Sequence, residues 1–285
     1  LILKGVVNMA LIQANFISKS LFRTVTINVI LPVDRILLPG MVEREQKPFK
    51  TLYLLHGIFG NYTDWVSGTN IQRWAEEKGL AVVMPSGDNA FYLDNPLAQN
   101  NYGEFIGKEL VEVTRKMFHL SHKREDTYIA GLSMGGYGAL RNGLKYNDTF
   151  GYIAALSAGL ILDNIDKRTN DSEFFLERRS FVEEFFGDLT KVENSDKNPK
   201  WLLKDLIDKK ANIPNIYMAC GEQDHLIEAN RDFRNYVEKL GLDITYEEGP
   251  GGHEWDFWNR YIKKVVDWLP LESSDAGINS GNIGR

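Results

Sequence analysis

A serine hydroxyl becomes a useful nucleophile only when a base takes its proton and a carboxylate holds that base in place. This chain carries residues for all three tasks in the order Ser133, Asp224, His253. Ser133 is the centre of Gly131-Leu132-Ser133-Met134-Gly135. The apolar run Tyr128-Ile129-Ala130 precedes it, and Gly136 and then Ala139-Leu140 follow. That pattern reads as strand, sharp turn, helix, with the hydroxyl lifted clear of the backbone at a helix N-terminus, where free N–H groups favour negative charge. A bare G-x-S-x-G is common among turn residues, so its weight comes from the partners that follow it.

Of five histidines only His225 and His253 lie downstream of Ser133. His253 sits in the glycine-rich stretch Glu248 to Trp258, a loop able to present an imidazole. Asp224 follows the apolar strand Ile216–Ala219 and the turn at Gly221. Asp224 is therefore read as the acid, His253 as the base and Ser133 as the nucleophile. His225 is the alternative base, but it shares a short turn with the acid. Glu254 and Asp256 are rival acids, better explained as charges complementing the start of the last helix. An oxyanion would be held by the backbone N–H of Met134 and by that of Ile58, with Phe59 the alternative, in the turn after Thr51–Leu55. His56 precedes that turn and is expected to orient it through a hydrogen bond. Cys220 reads as a packing residue. Neither an H-E-x-x-H nor a paired-cysteine spacing is present, so no metal is implied, and without a dinucleotide fingerprint no cofactor is implied either.

These residues need a frame. Gln13–Ser18 and Thr24–Leu31 look like an antiparallel opening pair. Leu52–His56, Ala81–Met84, Thr127–Ala130, Tyr152–Leu156, Ile216–Ala219 and Asp243–Tyr246 read as further strands. Helices fit at Ile71–Lys78, Phe105–Phe118, Gly138–Tyr146, Asn230–Leu240 and Asp256–Trp268. The alternation implies an α/β fold with a mostly parallel sheet covered on both faces, and a site beyond the carboxyl ends of the strands. Residues 160–210 break the rhythm. There, Glu173–Phe186 is expected to form one amphipathic helix, either a surface helix or a small cap over an acyl pocket. Phe174, Phe175, Phe181 and Phe185 would line that cap, with Phe59, Trp65, Tyr102 and Trp255 as further pocket walls.

The chain has 285 residues, 43% of them hydrophobic, and a formal charge of −6 from 33 basic and 39 acidic residues. Without a basic run, nucleic acid is an unsuited partner. No apolar stretch approaches the about 20 residues that span a bilayer. Residues 10–270 are expected to form one domain, because the nucleophile and base must meet. Residues 1–8 read as an upstream extension before Met9, without the features of a signal peptide, and 271–285 as a disordered tail. A lone cysteine fits a reducing, cytoplasmic setting. Oligomeric state, homo-oligomers included, is not legible.

The chain resembles the esterase D family of α/β-hydrolases, closest to its tributyrin esterase and feruloyl (cinnamoyl) esterase branch. The matching pieces are Tyr53–Gly57, Asp64-Trp65, Val83–Ser86, Gly131–Leu140, Gly221–Asp224 and Gly252–Trp258. The resemblance implies the α/β-hydrolase fold and a serine carboxylesterase acting on short-chain acyl esters, with acetyl and feruloyl or cinnamoyl esters as candidate substrates. An S-formylglutathione hydrolase-like thioesterase or an acyltransferase would use the same triad. The chain departs from the formylglutathione-hydrolase pattern at Leu132, where that pattern has His, and in lacking its cysteine-containing loop. From a different class, a catalytically silent binding protein on this fold is the rival reading.

Overall fold

The computed structural model describes residues 10–33 and 47–272. The expected extension at 1–8, most of the Pro32–Pro48 connection and the tail from 273 lie outside the described residues. The strands are β1 (Ala10–Ser18), β2 (Arg23–Leu31), β3 (Thr51–Leu55), β4 (Ala81–Pro85), the two-residue pair β5 (Asp94–Asn95) and β6 (Asn100–Asn101), β7 (Thr127–Leu132), β8 (Tyr152–Leu156), β9 (Asn215–Gly221) and β10 (Thr245–Gly249). The helices are α1 (Asp64–Gly68), α2 (Ile71–Lys78), α3 (Tyr102–Glu104), α4 (Leu110–Met117), α5 (Met134–Lys145), α6 (Arg179–Phe186), α7 (Pro199–Asp208), α8 (Ile227–Lys239) and α9 (Trp255–Trp268).

Eight strands form one sheet in the order β1-β2-β4-β3-β7-β8-β9-β10. β2 runs antiparallel to both its neighbours, and every pair from β4 to β10 is parallel. The central strands are buried throughout, and their alternate residues feed two cores. Tyr53, Leu55, Ile129 and Ile153 pack with α4, α5, α7 and α8, whereas Leu52, Leu54, Tyr128 and Ala154 pack with α2 and α9. That is why these strands read as unbroken apolar runs: both faces of a parallel sheet are covered. The architecture is the α/β-hydrolase fold.

Several boundaries differ from expectation. Helix α5 starts at Met134 rather than Gly138, because its first turn is built from the elbow's own glycines. The expected Glu173–Phe186 helix is broken. A short turn at Phe175–Glu177 precedes α6, and Arg178 between them is extended (φ −66°, ψ 140°). Local side-chain bonds compete with the helix there: Ser172 Oγ accepts from the Phe174 N–H, and Arg178 Nε donates to the Ser172 carbonyl. Helix α7 was not anticipated, although Asn198 caps it through the Lys200 N–H and Pro199 opens it, a legible N-terminal signature. Among the described residues no helix is long and apolar enough to cross a membrane.

Candidate active site

The parallel strands deliver their loops to one edge of the sheet: β3 gives His56 to Gly60, β7 gives Ser133, β8 gives Ser157, β9 gives Asp224 and β10 gives His253. Ser133 sits between β7 and α5 at φ 53°, ψ −121°, a conformation that costs a non-glycine residue about 1–3 kcal/mol. Its surroundings leave no room for relaxation. A Cβ on Gly131 would stand 2.3 Å from the Gly135 carbonyl oxygen, and one on Gly135 would stand 2.5 Å from the Leu55 and His56 carbonyl oxygens. Strand, elbow and helix therefore touch backbone to backbone. The Ser133 N–H donates to Leu156, and the Gly159 N–H donates back to the Ser133 carbonyl.

The acid and base loops are likewise tied together. Glu222 and Gln223 N–H groups donate to the Gly249 and Gly251 carbonyls, and the Gly251 N–H donates to Gln223 Oε1. The outcome is a continuous chain of side chains. His253 Nε2 lies 2.9 Å from Ser133 Oγ, and His253 Nδ1 lies 2.9 Å from Asp224 Oδ2. Ser133 is 9% exposed, and the Asp224 side chain is fully buried. Burial alone would push the Asp224 carboxyl up. Hydrogen bonds from His253, the Leu226 N–H and the Ser157 hydroxyl outweigh that and hold it below the usual carboxylate range. With Asp224 ionised, the imidazole proton belongs on Nδ1, which leaves Nε2 as an acceptor facing the hydroxyl.

Ser157 is the residue that sequence reading missed. It is fully buried at φ 45°, takes a hydrogen bond from Trp258 Nε1 at 3.1 Å and gives one to Asp224. The Trp258 ring also meets His253 edge to face at 4.9 Å. The next residue, Ala158, is clamped to α8 through both its N–H and carbonyl by Asn230. A serine at the carboxyl end of β8 was the signal available, and nothing in its spacing distinguished it from an ordinary turn residue.

The turn after β3 faces the elbow. The Gly87 N–H donates to His56 Nε2 at 2.8 Å, so His56 carries its proton on Nδ1 and donates it to the Gly57 carbonyl at 2.6 Å. All described peptides are trans. In a trans peptide the C=O and N–H point in opposite directions. Fixing the Gly57 oxygen therefore turns the Ile58 N–H the other way. The rival donor is committed elsewhere, because the Phe59 N–H donates to Asn89 Oδ1 at 2.8 Å. The N–H groups of Ile58 and Met134 have no protein acceptor among the described residues. Burial lowers the His56 pKa, against the Gly57 carbonyl, Asp64 and Asp88, which oppose it. Two free N–H groups beside a hydroxyl–imidazole–carboxylate chain can hold an oxyanion while a proton moves from oxygen to nitrogen.

The expected pocket walls divide. Phe59, Phe174 and Phe181 come together through Phe175, whose ring lies 6.0, 5.9 and 5.2 Å from theirs. Trp255 is half-buried and bridges Trp258 and Trp65 edge to face. Trp65 and Tyr102 are corrections. Trp65 is 1% exposed, its Nε1 bonded to the Leu55 carbonyl, and Tyr102 is 2% exposed, its hydroxyl held by Asp88 and Arg23. Neither offers surface to a ligand; both were expected there because aromatic residues near a site motif look alike in sequence whichever way they face. His225 is exposed, with Nδ1 3.5 Å from Asp224 Oδ1. Asp224, His225 and His253 offer ligand atoms all within 4.8 Å of one another, the one set of metal-donor geometry found among the described residues. Cys220 is buried and unpaired, its thiol pushed up to about 12, chiefly by desolvation, which makes it a poor nucleophile.

Comparison with known proteins fits this geometry. The Esterase family model matches residues 18–269. An acetyl esterase of Caldicellulosiruptor saccharolyticus is 46% identical over 261 residues, covering 92% of this chain and 98% of that protein. Two solved structures from Staphylococcus aureus are each 32% identical over 92% of this chain and 99% of theirs: the fluorophosphonate-binding serine hydrolase FphF, at a TM-score of 0.79, and the S-formylglutathione hydrolase FrmB, at 0.78. By the extent of the family match and the identity of its acetyl esterase relative, the chain belongs to the Esterase family, as a serine carboxylesterase of the esterase D type.

Proposed function

We propose that the chain hydrolyses short-chain acyl esters, acetyl esters first among them, through an acyl-enzyme on Ser133. His253 takes the Ser133 proton as Oγ attacks the ester carbonyl, and Asp224 fixes the imidazole and stabilises the imidazolium. The Ile58 and Met134 N–H groups receive the developing oxyanion. His253 then returns the proton to the departing alcohol oxygen. A water molecule, deprotonated by His253, attacks the acyl carbon and releases the acid and free Ser133 Oγ. The observation that carries this reading is the unbroken contact chain Asp224–His253–Ser133, with both links at 2.9 Å. The preference for acetyl rests on the 46% identical acetyl esterase. Residues 160–210 are read as a cap whose phenylalanines shape the acyl side of the pocket. The single buried thiol suits a cytoplasmic setting.

The test is Ser133→Ala assayed on p-nitrophenyl acetate, alongside labelling by a fluorophosphonate. Turnover is expected to fall on the order of 10⁴- to 10⁶-fold with folding intact, and covalent labelling to disappear. Residual activity near that of the unaltered chain would remove Ser133 from the mechanism. Absence of both turnover and labelling in the unaltered chain would favour the silent binding protein. A panel of p-nitrophenyl esters from C2 to C12, methyl ferulate and S-formylglutathione ranks the substrates, and dominance of the thioester would replace the acetyl-ester reading.

A further inference from the structure

We propose that His225 makes the acid–base pair an inhibitory site for a divalent late-transition cation, with zinc(II) as the probe. The inhibition rests on the roles assigned to Asp224 and His253 above; the binding does not. Nothing in the hydrolytic mechanism uses His225, yet it stands beside one oxygen of the carboxylate whose other oxygen meets His253. His225 Nδ1 is 3.5 Å from Asp224 Oδ1, and His253 Nδ1 is 2.9 Å from Asp224 Oδ2. The two imidazole rings lie 4.9 Å apart, inclined at 60°. A tetrahedral zinc with bonds of about 2.0–2.1 Å needs its ligand atoms about 3.3 Å from one another. The two nitrogen–oxygen separations bracket that value, and one ligand atom from each residue lies within 4.8 Å of the others, so rotation of the rings brings a carboxylate oxygen and two imidazole nitrogens onto one ion, with water in the fourth position. The ligand set of two imidazoles and one carboxylate suits zinc and disfavours magnesium, which prefers oxygen donors in octahedral geometry. An ion would enter from the side of His225, whose side chain is 70% exposed, past His253 at 25%, to reach the fully buried Asp224 carboxylate.

The consequence for turnover follows from where the proton must go. His253 is neutral with its proton on Nδ1. To coordinate through Nδ1 it gives that lone pair to the ion, and the displaced proton settles on Nε2, with no net proton lost. An Nε2–H cannot accept the Ser133 proton, and Asp224 is no longer available to stabilise an imidazolium. The ion thus holds the base in the wrong tautomer.

The experiment measures ZnCl₂ binding calorimetrically in a non-chelating buffer and, in parallel, initial rates on p-nitrophenyl acetate, using the full chain, His225→Gln and Ser133→Ala. The expected result is one zinc bound per chain, turnover lost with the same midpoint and restored by EDTA, and no effect of MgCl₂ at equal concentration. His225→Gln keeps basal turnover, while its zinc affinity and inhibition weaken by at least about tenfold, the scale of losing a partner at a metal site. Ser133→Ala binds zinc as the unaltered chain does, so a failure of the esterase mechanism leaves the binding result readable. Zinc affinity unchanged in His225→Gln, inhibition matched by magnesium, or no binding below millimolar zinc would each overturn the proposal.

Discussion

The carboxyl edge of the sheet and the aromatic segment at 174–186 are built on opposite terms. At the sheet edge, the polar side chains of the site are spoken for. Ser133, Ser157, Asp224 and His56 are buried, and each is fixed by at least two hydrogen bonds from different elements. In the aromatic segment, contacts are ring on ring. Phe59 is 67% exposed, Phe174 53% and Phe175 38%, and the Phe175–Phe181–Phe185 series leans at 5.2 and 5.1 Å without a polar anchor among the rings. Hydrogen bonds fix position to fractions of an ångström, whereas apolar contacts tolerate repacking. On the proposed reading, the first region carries the chemistry and the second the choice of acyl group. This division also limits each kind of variant: changes at the edge should act on kcat with every substrate, and changes among the phenylalanines should act on the ranking of substrates.

With the nucleophile left in place, the largest expected effect is at the acid. Asp224→Asn keeps the shape of the site but leaves the amide free to stabilise the wrong tautomer of His253. The loss in kcat should be about 10⁴-fold, equal for acetyl and butyryl esters. A loss confined to one acyl length would contradict the division. Ser157→Ala removes one donor to a buried carboxylate and the acceptor of the Trp258 N–H. A hydrogen bond to a charged group is worth about 1.5–3 kcal/mol, so kcat should fall roughly 10- to 100-fold with KM nearly unchanged. The acid limb of the pH–rate profile should move as well, because Asp224 would then hold its proton more readily. Ser157→Gly relaxes the positive φ without restoring the donor, so it should not rescue kcat. Rescue by glycine would mean that Ser157 matters for backbone shape alone.

On the aromatic side the expected effect is smaller and selective. Phe175→Ala removes the ring that joins Phe59 to Phe174 and Phe181. Turnover of p-nitrophenyl acetate should stay within about threefold. The ratio of kcat/KM for hexanoate over acetate should shift by about tenfold, within the range that a few apolar contacts supply. An equal fall for both esters would show that the segment supports the edge itself and that the two regions are not separable.

The two regions also differed in how legible they were. The sheet could be read from apolar runs of five or six residues, because both of its faces are covered. Its strand ends then placed Ser133, Asp224 and the turn after β3 on one edge before any distance was known. The choice of Ile58 over Phe59 was not decidable from sequence. It depends on Asn89, thirty residues away, taking the Phe59 N–H, and on His56 turning a peptide plane. Ser157 stayed hidden for the same reason: its role exists only where β8, β9 and α9 meet. The aromatic segment misled in the opposite way. Its amphipathic pattern suited a full helix, yet side-chain bonds around Ser172 and Arg178 broke it. Trp65 and Tyr102 looked like pocket walls but spend their polar atoms on the Leu55 carbonyl and on Asp88 and Arg23.

The smallest effect tests whether the edge is as fixed as its hydrogen bonds imply. His56 is fully buried and accepts the Gly87 N–H at Nε2, so protonation there would set two N–H groups against each other. Burial lowers its pKa below the ordinary histidine value, with the Gly57 carbonyl, Asp64 and Asp88 opposing. The unfolded chain takes up this proton as pH falls through about 6.5, and the folded chain does not. The stability that His56 contributes is therefore complete above that pH and is lost as pH drops below it. One such group tilts the unfolding free energy by at most about 1.4 kcal/mol per pH unit. In urea titrations at pH 7.5, 6.5 and 5.5, His56→Gln should be less stable than the unaltered chain at pH 7.5, and the gap should narrow by pH 5.5. Asp224, held below the usual carboxylate range, contributes in full across this window and loses that contribution only as pH falls below about 4, which keeps the window clean. A gap that stays constant across it would mean that His56 is not held neutral, and the orientation of the Ile58 N–H would need another cause.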